Sequence, residues 1–289
     1  MSAEVLRYAA FPAGDTGGNP AGVVLDARGM TDEDMLVTAA EVGFSETAFL
    51  FPAESAADRN EGASKGSSEA RVRYFSPLAE VPFCGHATIA TAVAHAERHG
   101  AGRLDLVTQR GLVPVNTRDE GGQLVATLTS VEPSVEPMSP VGLAGTLEAL
   151  RWSRDALDDA LPPYVAFAGN HHPVLAVSSR QVLAGLDYDY AALAELMAEH
   201  DWTTMQLVHR ERLDLFHARN PFPPGGVVED PATGAAAAAL GGYLRALDLV
   251  PPSRRVTIRQ GEDMGRPSLL LVDIPEQGGI DVTGSAARL

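Results

Sequence analysis

The chain has 289 residues, 45% of them apolar and one of them cysteine, and it carries a formal charge of −16 at pH 7. Two domains of ordinary size fit that length, and a lone thiol, Cys84, excludes an internal disulfide framework and suits a reducing compartment. So acidic a chain lacks the clustered positive charge that nucleic acid requires, no apolar run approaches the ~20 residues that span a bilayer, and no signal-peptide pattern opens it; a cytoplasmic protein is expected.

VLRYAAF (5–11) reads as a strand, GDTGGNPAG (14–22) as a turn-rich connection, and VVLD as a second strand. Thr31 caps a helix running to about Val42, with Asp32, Glu33 and Asp34 in its first turn and Gly43 at its stop. ETAFLF (46–51) and ARVRYFS (70–76) flank a polar Gly/Ser/Ala stretch, 53–70, that reads as a mobile hairpin loop. It contains Lys65, the single lysine. A Schiff-base lysine needs a shaped, desolvated pocket, so no pyridoxal phosphate is expected. HATIATAVAHA (86–96) is small or apolar all round, hence a buried helix, ending near Gly100 and followed by strands LDLVTQ, LVPVNTR and LVATLT.

EPSVEPMSP (132–140) is proline-rich and reads as an interdomain linker. Beyond it come strands near 164–168 and 173–178, a helix at 189–200, strands at 204–208 and 213–218, a second buried helix at 231–247, and three closing strands. Strands outnumber helices and do not alternate with them, which is an α+β pattern. The expected architecture is two similar half-barrel domains, each a β-barrel-like sheet wrapped around a central apolar helix. They cover 1–131 and 141–278, with room for a C-terminal strand, about 279–289, to return to the first.

A weak internal repeat supports the two matched halves. Gly18-Asn19-Pro20 precedes AGVVLD as Gly169-Asn170-His171 precedes PVLAVS; RVRYFSP leads to CGHAT as LDLFHAR leads to EDPATG. Asn19 and Asn170, and Gln109 and Gln260, are each 151 apart, but Phe75 and Phe216 are 141 apart, which fits duplication with later insertion.

Both buried helices open at a glycine-bearing turn with ionisable side chains: Pro82-Phe83-Cys84-Gly85-His86-Ala87-Thr88 and Glu229-Asp230-Pro231-Ala232-Thr233-Gly234. A helix N-terminus presents N–H groups without intrahelical partners and about half a positive charge, which attract anions. A carboxylate-binding catalytic cleft between the halves is therefore expected. Glu46 heads an apolar strand, where burial would raise its pKa into the range of an acid/base; the bland alternative is a solvated strand end. His86 is a second candidate, or a buried histidine satisfied by backbone. Asp230 is a third, or simply the N-cap of a helix with Pro231 in its first turn. Cys84 reads as a small buried hydrophobe, although its place before a helix would lower its pKa. His171-His172 stands apart as a possible metal-ligand pair. Adjacent histidines suit surface loops as well as metals, and there is no GxGxxG, Walker A or nucleophile-elbow motif, so no metal and no cofactor are expected.

GNPAGVV (18–24), FSETAFL (44–50), RYFSPLAEVPFCGHATIA (73–90), EDPATGAA (229–236) and GRPSLL (265–270) are spread over the chain in an order that resembles the phenazine-biosynthesis PhzF-like family, itself similar in fold to diaminopimelate epimerase. The resemblance implies two barrel-like domains and a cofactor-independent isomerase that moves a proton on a small carboxylated metabolite. It also implies Glu46 as the shuttling acid/base with His86 and Asp230 as partners. Asn19, Ser45, Gly85, Ala87, Thr88, Thr233, Gly234 and Ala235 would line the substrate. The family usually has serine where this chain has Ala235, removing a hydroxyl bond worth roughly 0.5–1.5 kcal/mol. That makes a different substrate, or a metabolite-binding protein without turnover, the alternative. With one cysteine, a two-thiol racemase is disfavoured and a one-base, same-face proton shift is favoured. A homodimer is expected from the family's habit and from the edges that half-barrels expose.

Overall fold

The computed structural model describes residues 3–52, 68–251 and 253–289. Lys65 and most of the 53–70 loop lie outside the described residues. The chain divides into two compact units, Met1–Thr129 with Thr283–Leu289, and Ser130–Val282.

In the first unit the strands are β1 (Leu6–Ala10), β2 (Asn19–Val24), β3 (Glu46–Pro52), β4 (Ser68–Phe75), β5 (Glu80–Val81), β6 (Arg103–Thr108), β7 (Gly111–Glu120) and β8 (Gln123–Thr129). β1 pairs antiparallel with β2, β2 parallel with β3, β3 antiparallel with β4, and β4 parallel with β6. β6, β7 and β8 follow as an antiparallel meander. The C-terminal strand Asp281–Arg288 then pairs with β8 and returns antiparallel to β1, so eight strands close into a barrel. Where a half-barrel was expected, a closed one is found, and closure leaves no sheet edge in that ring. β5 hangs on β4 outside the ring.

Helix α1 (Asp32–Val42) begins with a reciprocal cap: Thr31 Oγ1 accepts from Asp34 N–H, and Thr31 N–H donates to Asp34 Oδ2. It stops at Gly43, whose φ of 71° is left-handed. Helix α2 (Gly85–His99) runs against β1, β2, β3, β7 and β8, and every residue from His86 to Ala94 is buried. Alanine and threonine fill most of those positions, which lets backbone approach sheet on all sides.

The second unit contains β9 (Ser134–Pro137), α3 (Pro140–Ala149), β10 (Tyr164–Phe167), β11 (His171–Ala176), α4 (Arg180–Ala184), α5 (Tyr190–Glu199), β12 (Gln206–Arg212), β13 (Leu215–Phe222), β14 (Val227–Asp230), α6 (Gly234–Ala246), β15 (Arg254–Gln260) and β16 (Ser268–Ile274), with β17 (Asp281–Arg288) straddling the boundary. Its pairings repeat the first unit: β10–β11 antiparallel, β11–β12 parallel, β12–β13 antiparallel, β13–β15 parallel, β15–β16 antiparallel. β14 hangs on β13 as β5 hangs on β4, and each leads into the central helix. Duplication is thus visible in connectivity, which insertions leave intact.

The segment 132–140 is not a linker. Ser134–Pro137 pairs antiparallel with β10, Ser139 caps α3, and Pro140 takes the first helical turn. Pro133 sits against α6, where a Cβ on Gly242 would come within 2.5 Å of the proline Cβ. Three prolines marked a break, but proline is also tolerated on short strands and at a helix start. Helix α3 packs into a cluster with Leu175, Leu193, Met197 and Trp202.

Candidate active site

In the first unit Glu46 is the first residue of β3 and His86 the second of α2, and the fold brings them together. His86 Nε2 lies 3.3 Å from Glu46 Oε2, with side chains 7% and 13% exposed. Their alignment falls short of a hydrogen bond, and Glu46 Oε2 is a buried oxygen with no hydrogen-bond partner among the described residues. Ser45 Oγ is 3.5 Å from His86 Nε2, and Cys84 Sγ is 3.4 Å from Nδ1. His86 is therefore not satisfied by backbone, and its imidazole is shared by a carboxylate, a hydroxyl and a thiol.

Other proposed residues hold that turn. Thr88, fully buried, donates to the Cys84 carbonyl at 2.7 Å, so its oxygen accepts from the Tyr74 hydroxyl at 2.6 Å. Burial pushes the Tyr74 phenol well up, keeping it a neutral donor. Ala87 is buried inside the barrel, Gly85 is half-buried at the helix start, and Asn19 is buried at the head of β2.

In the second unit Asp230 ends β14 and does not cap α6, contrary to one reading of the sequence; the N-cap is Thr233, which shortens the helix from the expected 231 to Gly234. Thr233 Oγ1 donates to Asp230 Oδ2 at 2.5 Å. Gln260 locks the turn: its Nε2 donates to the Asp230 carbonyl at 2.7 Å, and its Oε1 accepts from Thr233 N–H at 3.2 Å. Gln260 was visible in the repeat but not as part of a site, because only the parallel pairing of β13 with β15 carries it to the turn. Glu229 is fully engaged by Arg219, at 3.0 Å from Nε, so Asp230 is the carboxylate that this motif offers. Gly234 is buried and Ala235 half-buried in the first turn of α6.

α1, α3, α4 and α5 are each capped by a side-chain oxygen of Thr31, Ser139, Ser179 or Asp189. α2 and α6 have no side-chain cap bond from Cys84 or Thr233. The two buried helices thus leave their first-turn N–H groups to something other than an N-cap side chain, as anion-binding termini do.

Register shows what the two units offer chemically. Glu46 opens the parallel β2–β3 ladder opposite Ala21, and Gln206 opens the parallel β11–β12 ladder opposite Val174. Cys84 and Thr233 are the matching N-caps, which aligns His86 with Ala235. Carboxylate, thiol and imidazole in one unit correspond to amide, hydroxyl and methyl in the other.

His171 and His172 do not form a metal pair. Neighbours on β11, they face opposite sides of the sheet: the His171 ring lies tilted against Phe167, centroids 5.0 Å apart, while His172 is fully buried with Nδ1 2.9 Å from Thr204 Oγ1. The one set of three metal-ligating side chains with mutually close donor atoms, among the described residues, is Glu46, Cys84 and His86. No helix among the described residues is long and apolar enough to cross a membrane.

The family profile described as phenazine biosynthesis-like protein matches residues 8–289. The chain is 28% identical to an uncharacterized isomerase, YfhB, of Bacillus subtilis, over 98% of this chain and 96% of that protein. It is 31% identical to the trans-2,3-dihydro-3-hydroxyanthranilate isomerase of Pseudomonas fluorescens, over 90% and 86%. Among solved structures it is similar to the PhzF-family phenazine biosynthesis protein of Bacillus anthracis, with a TM-score of 0.83 and 25% identity, covering 100% of this chain and 98% of that one.

Proposed function

The chain belongs to the phenazine biosynthesis-like family and is an enzyme of the isomerase or epimerase type, and from that premise we propose that it shifts a proton on a small carboxylated metabolite by general acid/base catalysis, without a cofactor. The observation that carries this reading is Glu46 Oε2, a buried carboxylate oxygen without a hydrogen-bond partner among the described residues, 3.3 Å from an imidazole at the start of a helix. An oxygen lone pair held dry in this way is suited to take a proton from carbon.

Glu46 would accept the proton from the carbon next to the substrate carboxylate. The C–H electron pair moves into the conjugated system, and the negative charge that builds on oxygen is favoured by a helix N-terminus. Glu46, now a carboxylic acid, returns the proton to another carbon of the same system. His86 and Asp230 orient the substrate and tune its charge. With Cys84 the single cysteine of the chain, a two-thiol exchange that inverts one carbon is disfavoured, so a one-base, same-face shift through Glu46 is the favoured outcome.

The test is solvent exchange. A panel of small carboxylated metabolites is first screened by thermal shift, then incubated with enzyme in deuterated water and read by mass spectrometry. Incorporation at a carbon, lost in Glu46→Gln, is expected. A compound that binds tightly and never exchanges would point instead to a binding protein that keeps the fold.

A further inference from the structure

We propose that Glu46, Cys84 and His86 form a binding site for a thiophilic divalent cation, Zn²⁺ foremost, and that the cation inhibits the enzyme. The inhibitory half rests on the role of Glu46 proposed above; the binding half rests on geometry alone. The three side chains come from two elements of one unit, the head of β3 and the first turn of α2, and their donor atoms all lie within 4.8 Å of one another. They supply one oxygen, one sulfur and one nitrogen, a mixture that zinc accepts and that magnesium and calcium do not.

The spacing already approaches a coordination tetrahedron. With Zn–N and Zn–O bonds of about 2.0–2.1 Å and Zn–S of about 2.3 Å, neighbouring ligand atoms lie ~3.3 Å apart for O and N and ~3.6 Å for N and S. Glu46 Oε2 and His86 Nε2 are 3.3 Å apart, and Cys84 Sγ is 3.8 Å from the same nitrogen. The sulfur stands slightly nearer to Nδ1, at 3.4 Å, so Cys84 must swing off that contact to complete the set. Glu46 Oε2 needs to give up no hydrogen bond. Glu46 keeps 13% of its side chain at the surface, which leaves a way in.

On binding, the thiol loses its proton to solvent, the sulfur lone pair forms the Zn–S bond, and Glu46 and the imidazole each donate a lone pair. Three protein ligands leave one position for water or a substrate carboxylate. The lone pair that Glu46 would use on carbon is then engaged. Zinc and proton abstraction exclude each other.

The experiment titrates the intact chain with Zn²⁺ by calorimetry, and with Co²⁺ while following the thiolate-to-cobalt charge-transfer band. One ion per chain and a clear band are expected. Losing even an outer partner of a ligand typically costs 10–100-fold in affinity, so Cys84→Ser and Glu46→Gln should each weaken binding by roughly 100-fold or more. Circular dichroism and melting temperature check that both variants are folded. Absence of stoichiometric binding, or full-strength binding in both folded variants, overturns the site. Deuterium exchange by the wild type should stop with one equivalent of Zn²⁺ and return with a chelator; exchange that continues in the loaded enzyme overturns the inhibition. Exchange without metal binding would sink this inference and leave the proposed function standing, whereas metal binding without exchange would sink the proposed function and the inhibition with it and leave the binding site standing.

Discussion

At the scale of single residues, the cluster around His86 makes the sharpest claims. Glu46→Gln keeps the shape of the side chain and removes its basicity. Turnover should fall by about the 10²–10⁴-fold typical of a lost general acid/base, with an unchanged melting curve. Cys84→Ala should cost less than about tenfold if the proton travels on Glu46; steady-state rates on an exchange-competent substrate compare the two, and near-complete loss in the alanine variant would make the thiol an acid/base. His172 makes a different prediction, about stability. Burial lowers its pKa to about 4, whereas an unfolded imidazole titrates near ~6.5. The native chain therefore stays neutral there while the unfolded chain takes up a proton. This contribution is complete above ~6.5 and is lost as the pH falls towards 4, amounting to about 3 kcal/mol. Urea titrations between pH 7 and 4 should show a shallower loss in His172→Gln, whose amide retains a partner for Thr204. An equal loss in both proteins would count against it.

At the scale of elements, the two central helices are distinguished by what they lack. Four other helices begin at a Thr, Ser or Asp cap, and those caps are legible as local sequence; α2 and α6 have none from their N-cap side chains. Small residues then decide how closely sheet can approach. Gly241 would place a Cβ 2.7 Å from Ile280 Cγ2, and Gly242 one 2.5 Å from the Pro133 Cβ. Gly242→Ala should raise intrinsic helix propensity and still destabilise the unit, by about 1–3 kcal/mol, because the proline segment cannot retreat without breaking the β9–β10 pairing. Denaturant midpoints decide it: a more stable variant would show that Pro133 is loosely held.

At the scale of the whole molecule, the repeated order of antiparallel and parallel pairings is the record of duplication, and chemistry has diverged on it. One unit keeps Glu46, Cys84 and His86; the other keeps Asp230, with Gln206, Thr233 and Ala235 where the first has ionisable groups. The expected homodimer must now be argued differently. An exposed edge was one reason for it, but the barrel of the first unit closes on itself, so the proposal draws on the family resemblance. Light scattering at micromolar concentration should give the mass of two chains; the mass of one would remove the dimer and leave the proton shift untouched.

The sequence by itself determined the α+β class, the two matched halves, the two buried helices and the motifs that open them, because apolar periodicity, capping residues and glycine stops are local signals. Helix α1 is an example, legible from Thr31 to Gly43. The sequence allowed a C-terminal strand, about 279–289, to return to the first half, as Asp281–Arg288 does, but not the closure of that half into a complete ring, which needs this strand to pair with both Leu6–Ala10 and Gln123–Thr129. Nor did it separate a linker from an edge strand at 132–140, since proline suits both. The alternative reading of Asp230, as a cap, arose because the residues Asp-Pro begin many helices, while Gln260, 30 residues away, is what pins that turn. The meeting of Glu46 with Cys84 and His86 was likewise decided by tertiary structure: β3 and α2 are separated in sequence by a hairpin and a turn, and only packing of the helix inside the sheet puts the thiol, the imidazole and the carboxylate oxygen within reach of one ion or one proton.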